Sequence, residues 1–198
     1  MERQIKKSSV SVRVALMWML MGILPFGLSA QSFKLDNGQS RITVTGTSSL
    51  HDWEELAEQK SGAIALDLSG ETPSIKSLVL VVEAESLKSG KSAMDKNTYK
   101  ALNTDKYKQI AYTLERVKSI SANGSGHSVV AVGQLTISGK TNTIEIDLDL
   151  SVSGDIVSLK GSKPLKFTDF ALEPPKALMG TIKTGDEIMV HFDTVWKK

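Results

Sequence analysis

Thr143-Ile144-Glu145-Ile146-Asp147-Leu148-Asp149-Leu150-Ser151-Val152 is the stretch that decides the fold class. Aliphatic residues at 144, 146, 148, 150 and 152 alternate with Glu145, Asp147, Asp149 and Ser151. Neighbouring side chains of an extended chain point to opposite faces, so this segment makes a strand with one dry and one wet face. A helix would spread the same residues around its circumference. The period of two recurs at Ile42 and Val44, at Ile64, Leu66 and Leu68, at Leu78, Leu80 and Val82, and at Ile188, Val190 and Phe192. The chain therefore reads as all-β.

Turn-forming residues separate these runs: Asn37-Gly38, residues 70–73, Asn123-Gly124-Ser125-Gly126, Ser138-Gly139-Lys140, Ser153-Gly154-Asp155 and Thr184-Gly185-Asp186. Connections this short imply antiparallel hairpins, which close into a barrel or stack as a sandwich; periodicity alone does not choose. Residues 92–103 depart from the pattern. Met94, Thr98, Ala101 and Leu102 fall at helical spacing, and Ser92 with Asp95 resembles a capping pair, which predicts one short amphipathic helix.

The amino terminus has a different character. Arg3, Lys6, Lys7 and Arg13 precede an uncharged stretch from Val14 to Phe26, and Gly27-Leu28-Ser29-Ala30 follows with small residues, the three parts of a secretory signal peptide. Cleavage is expected after Ala30, against the alternative of an uncleaved anchor, which Pro25 and the small residues disfavour. The division is thus a leader over 1–30 and one domain over 31–198. Four basic residues and Glu2 belong to the leader, so 24 basic and 22 acidic residues become 20 and 21, and the net charge falls from +2 to −1. No clustered basic excess remains to call for nucleic acid. With no cysteine, disulfides, thiolate metal sites and thiol nucleophiles are excluded.

Reactive constellations are mostly absent. There is no phosphate-binding glycine loop, nucleophile elbow or helical histidine pair, and His51, His127 and His191 are far apart in sequence. Ser49, His51 and Asp52 are too close along an extended chain to form a triad. Glu145, Asp147 and Asp149 are expected to be a solvated outer face, not a cation site. No catalytic or metal-binding residue is assigned, and no cofactor is required. An antiparallel barrel of about eight strands is wide enough to hold its own side chains or one small ligand, and an apolar inner face selects an apolar guest. An outer-membrane barrel would need aromatic girdles and a polar lumen, which 6% aromatic residues do not supply.

Several segments, in order, carry a family resemblance. Residues 44–53 (Val-Thr-Gly-Thr-Ser-Ser-Leu-His-Asp-Trp) are followed by Gly62, by Ser86-Leu87-Lys88-Ser89-Gly90, and by Tyr99 through Tyr107. Then come residues 133–141, Phe167-Thr168-Asp169-Phe170-Ala171-Leu172-Glu173-Pro174-Pro175, Gly180, and Gly185-Asp186-Glu187-Ile188. Together they resemble the YceI family from Phe33 to Trp196. The resemblance implies an antiparallel up-and-down, lipocalin-like β-barrel with a helix near its mouth. It also implies a periplasmic or secreted protein that binds a long polyisoprenoid chain, so that the bound group is a polyprenyl lipid or an isoprenoid quinone. Tyr107-Lys108 and Tyr112 depart from the family's usual Tyr-Pro and Phe, and the Tyr112 hydroxyl changes the polarity expected of the wall.

On that fold, the guest is expected against Ile64, Leu66, Leu80, Val82, Ile146, Leu148 and Phe170. Trp53, Met94, Tyr99 and Leu102 would close the mouth, with Lys96 or Lys100 meeting a polar head. No stable membrane insertion is expected after leader cleavage, and a homodimer stays open. The rival readings are a structural or stress-related module with a filled core, and a lipid-processing enzyme.

Overall fold

The computed structural model describes residues 30–198, so the expected leader lies, except for its last residue, outside the described residues. Six strands precede the helix: β1 (Gln31–Leu35), β2 (Arg41–Ser48), β3 (Trp53–Ala57), β4 (Lys60–Asp67), β5 (Ser74–Glu83) and β6 (Leu87–Lys88). After helix α1 (Ser92–Leu102) come β7 (Gln109–Asn123), β8 (Gly126–Ile137), β9 (Lys140–Ser153), β10 (Ile156–Lys166), β11 (Lys176–Ala177) and β12 (Ile182–Lys197). All pairings between them are antiparallel.

The ladder resolves the choice between barrel and sandwich. β12 pairs with β10 on one side and with both β1 and β2 on the other. In turn β1 pairs with β4 and β2 with β3, while β4 pairs with β5 and β3 with β6. The first six strands therefore make three kinked staves, and with β7, β8, β9, β10 and β12 they close an eight-stave up-and-down barrel. Closure pairs most of the sheet's edges, while β5 and β7 join only from Val79 to Glu83 and from Gln109 to Thr113.

Two turn signals act differently from expectation. Asn37-Gly38 does not reverse the chain but kinks it between β1 and β2, two halves of one stave. Thr184-Gly185-Asp186 lies inside β12, where the register against β2 shifts between Thr184 and Ile188. It is a β-bulge, and the glycine leaves room for Thr47: a Cβ at position 185 would sit 2.8 Å from Thr47 Oγ1. The remaining signals are hairpin turns.

Helix α1 ends one residue before the expected limit, at Asn103, whose φ of 52° gives a left-handed cap. Its start is not the predicted pair. Lys91 occupies the N-cap with no side-chain bond, and Asp95 instead accepts hydrogen bonds from the Ser89 amide at 2.9 Å and hydroxyl at 2.6 Å. Burial opposes the charge on Asp95, but these bonds hold its carboxyl below the usual range.

The predicted inward residues do face inward, but the interior is filled unevenly. Toward the end bounded by the 123–126 and 153–156 turns, Phe33, Ile64, Leu66, Val129, Leu150, Val157 and Trp196 are buried to within 1% of complete exclusion from solvent. Large rings are accommodated there and higher up because the stave they lie over carries glycine, the next stave for Phe192, Tyr112 and Trp53 and the one beyond β1 for Trp196. A Cβ on Gly62 would lie 3.0 Å from the Trp196 ring, on Gly161 2.6 Å from Phe192, on Gly133 2.6 Å from Tyr112 and on Gly46 2.3 Å from Trp53. Each ring occupies the space that a side chain on the facing stave would need. At Gly62 the added atom would also sit 2.3 Å from the Val79 carbonyl oxygen, which cannot step aside. Gly62→Ala is therefore expected to destabilise the protein by about 1–3 kcal/mol. Urea unfolding measures this, and an unchanged midpoint would show that Trp196 and β5 yield.

Candidate functional site

The other half of the barrel is hollow. A cavity of about 430 Å³ runs from the floor made by Trp196 and Thr194 to a mouth between the β2–β3 turn, α1 and the connection from β10 to β12. Trp196 is held in place by its indole N–H, which donates to Thr194 Oγ1 at 3.0 Å, while that hydroxyl donates to the Leu159 carbonyl at 3.1 Å. Above this floor the wall is aliphatic and aromatic: Leu78, Leu80 and Val82 from β5, Ile144, Ile146 and Leu148 from β9, and Ile188, Val190 and Phe192 from β12. These are the inward phases of the alternating runs. A cavity of this size and lining matches small-molecule sites in general, which are concave and mostly apolar.

Helix α1 covers one side of the mouth with Met94, Asn97, Thr98, Ala101 and Leu102. It is pinned from two directions. Ser138 Oγ in the β8–β9 turn donates to the Leu102 carbonyl at 2.7 Å. On the far side the Tyr99 hydroxyl donates to the Glu85 carbonyl at 2.8 Å and receives a hydrogen bond from Lys88.

Of the thirteen positions expected to meet a guest, Trp53, Leu80, Val82, Met94, Leu102, Ile146, Leu148 and Phe170 line the cavity. Five do not. Ile64 and Leu66 point inward but continue β4 past Gly62, where Trp196 roofs them over, so they belong to the solid end. Tyr99 faces away and serves as the outer pin of the helix. Lys96 and Lys100 are exposed on the solvent side of α1 and outside the lining. The cationic groups of the lining are instead Lys91, Lys166 and Lys176 around the mouth, with His51 beside them, and Lys163 deeper, on the inward phase of β10 between Gly161 and Leu165.

The Ser49–His51–Asp52 segment carries no relay. Ser49 Oγ accepts from the Lys183 amide at 3.1 Å, and His51 Nδ1 lies 2.7 Å from the Asp52 main-chain carbonyl, not from its carboxylate. The carboxylates of β9 are outside, as expected, with Glu145 paired to Lys118 at 2.8 Å.

Two polar groups inside the cavity stand out against this wall. Tyr112, on β7, is 7% exposed, and its buried hydroxyl has no hydrogen-bond partner among the described residues. Burial, with the charge of Glu115, pushes the phenol up to about 12, so it is a neutral donor. Glu55, on β3, is 2% exposed and accepts one hydrogen bond, from Thr98 Oγ1 of the helix at 2.5 Å. Burial pushes its carboxyl up to about 7 against the lowering effect of that bond, and the charge of Asp95 adds to the rise. Tyr112 was legible as a departure from the family pattern. Glu55 was overlooked, although the phase of Trp53, Glu55 and Ala57 places the acid on the inner face and Leu56 on the outer one.

Both groups destabilise the empty protein. Tyr112→Phe removes the unpartnered hydroxyl without leaving a void and is expected to stabilise by about 1 kcal/mol, as read from thermal melting. For Glu55, the folded-state value lies above the ordinary 4.5, so between about 4.5 and 7 the native state keeps a proton that the unfolded chain has released. Its contribution therefore falls as pH rises through that window. The melting temperature of Glu55→Gln relative to wild type is expected to climb from pH 4.5 to pH 8, a difference on the order of 3 kcal/mol at most. Parallel melting curves at all pH values would remove the buried charge from the account.

The YceI-like domain model matches residues 33–196, nearly all of the described chain. Among solved structures, BcnA of Burkholderia cenocepacia is similar at a TM-score of 0.66 and 18% identity, covering 81% of this chain and 98% of that one. A polyisoprenoid binding domain from Saccharophagus degradans, implicated in plant cell wall breakdown, gives 0.64 and 14%, covering 83% and 97%. The YceI protein of Campylobacter jejuni gives 0.57 and 15%, covering 71% and 82%. Comparison with curated proteins finds no matching relative. The closed eight-stave barrel, its one helix at the mouth and the match over residues 33–196 place this chain in the YceI-like family.

Proposed function

We propose that the protein binds a long apolar lipid, a polyprenyl chain or isoprenoid quinone, inside the barrel and carries or sequesters it without catalysing a reaction. The observation that supports this reading best is the 430 Å³ cavity with its almost wholly hydrocarbon wall. Removing hydrocarbon from water there supplies about 25 cal/mol per Å² and needs no reactive group. The family and the polyisoprenoid-binding neighbour from Saccharophagus degradans agree with it. An internal hollow also favours a carrier over a module with a filled core.

The signal-peptide pattern supports action in the periplasm or outside the cell. Among the described residues no helix is long and apolar enough to cross a membrane. The lysines at the mouth are the groups placed to meet an acidic head or surface, in the role the sequence suggested for Lys96 and Lys100.

Native mass spectrometry of protein purified from bacteria without detergent, followed by organic extraction, is expected to show a stoichiometric prenyl lipid or quinone. A bare mass that stays bare after incubation with such lipids would turn the reading toward a filled or purely structural barrel. Two wall variants locate the guest. Leu148→Asp places a charge on the wall and is expected to abolish binding. Ile146→Trp fills the hollow with indole and is expected to weaken binding at least about tenfold, about 1.4 kcal/mol, in a folded protein. Wild-type occupancy in a folded Ile146→Trp variant would move the guest elsewhere.

A further inference from the structure

Glu55 has no structural task that a neutral residue would not perform as well. It is the acid in the cavity lining, on a wall otherwise built from hydrocarbon, a few hydroxyl and amide groups, Lys163 of β10 and the cationic groups at the mouth. One carboxyl oxygen is taken by Thr98; the other has no partner among the described residues. An unpaired polar atom of this kind is costly unless something that enters the cavity, water or a guest, satisfies it.

The charged and titratable neighbours do not neutralise it. From α1, Asp95 faces it with a like charge and is itself bound by Ser89. From β6, Lys88 is engaged by the Tyr99 hydroxyl. On β2 the residue opposite Glu55 is Val44, and Arg41 is turned outward to Glu54 at 2.9 Å. Lys60 of β4 donates to the Ala57 carbonyl at 3.1 Å. Across the hollow stand the neutral Tyr112 hydroxyl and Lys163, which lies on the inward phase of β10 three strands from Glu55 at the same level, and at the mouth His51, Lys91, Lys166 and Lys176; none of them pairs with Glu55 among the described residues.

We propose that Glu55 is a proton-operated control on the lipid site: the cavity holds an apolar guest while Glu55 is protonated and releases it as Glu55 ionises. This rests on the lipid-carrier reading and adds its regulation. The physical cause is water. An ionised Glu55 needs water in the cavity to solvate its free oxygen, and an apolar guest expels that water. Guest and charge therefore exclude one another, and by linkage the guest raises the proton affinity of Glu55 as much as the proton raises the affinity for the guest. The protonated carboxyl, with the Tyr112 phenol, in addition offers a hydrogen-bond donor to a carbonyl or hydroxyl on the guest. Because burial already holds the carboxyl near 7 in the empty protein, the exchange falls in the neutral range, where modest acidification favours loading and modest alkalinisation favours release.

The test uses all-trans-retinol, a fluorescent isoprenoid alcohol that does not itself titrate, with the purified protein between pH 5 and pH 9. Wild-type Kd is expected to be flat at low pH and to rise by up to about tenfold per pH unit above neutrality, the slope of one linked proton. Glu55→Gln is expected to lose that slope. A flat wild-type profile with clear binding overturns the proposal and leaves the carrier reading standing, as does a slope that survives in Glu55→Gln. Absence of retinol binding at every pH, together with no lipid in the native mass spectrum, overturns both. Should Glu55→Gln fail to fold, Thr98→Val serves instead. Losing the hydroxyl that favours the charged form must move the onset of weakening to higher pH, and an unmoved onset overturns the proposal.

Discussion

The pairing of β12 with both β10 and the β1–β2 stave is the constraint on which everything else depends. It turns a meander into a closed surface, and a closed surface has an inside. Every period-two run then has its facing decided at once, since a slip of one residue would turn aliphatic residues to water and carboxylates to the core. The outer face carries single ion pairs such as Lys118–Glu145 and Lys160–Asp193, at 2.8 and 3.1 Å, each largely exposed. Such pairs contribute little to stability; their use is to keep the outer wall wet. The energy lies in the interior.

That interior is divided by shape rather than by chemistry. Both halves are apolar, but the rings of Phe192, Tyr112 and Trp53 lie over glycines of the next stave, and the lowest ring, Trp196, reaches past β1 to Gly62 of β4 and separates a packed end from a hollow one. A glycine at position 62 thus has a function without touching the cavity: it lets the floor lie flat. The same trade of side chain for ring explains how a wall so rich in aliphatic residues keeps a defined cavity and does not collapse around it. Tyr112 and Glu55, in contrast, are costly where they sit. A wall of phenylalanine and leucine at those two places would make a more stable empty barrel, so their presence is understood through what enters the hollow.

The solved structures share only 14–18% of their residues with this chain, yet their topology is common to it. This is the behaviour expected of a fold specified by alternation and turn placement: many side chains satisfy "apolar in, polar out" at a given position. The lining that decides which guest fits is free to vary on a constant frame.

The primary sequence by itself determined the strand-rich class, the inward phase of the clear runs, one short helix over residues 92–103, found over Ser92–Leu102, and most hairpin turns, because these depend on neighbours two to four residues apart. Facing was therefore legible: Leu80, Val82, Ile146 and Leu148 were placed on the wall from alternation alone. Depth along a stave was not. Ile64 and Leu66 have the same phase and chemistry as Leu80 and Val82, but only the shear that sets Trp196 over Gly62 puts them below the floor. The direction of a helix face was equally hidden, since whether Tyr99 and Lys96 or Thr98 and Met94 look into the mouth depends on how α1 is pinned by Ser138 and Glu85. Glu55 shows the limit most clearly: its phase could be read from Trp53 and Ala57, but an acid in a strand is ordinarily on the wet face. Only the tertiary structure, which closes the wall around the cavity and lays α1 over β3 so that Thr98 meets the carboxyl, makes it a buried acid with one partner.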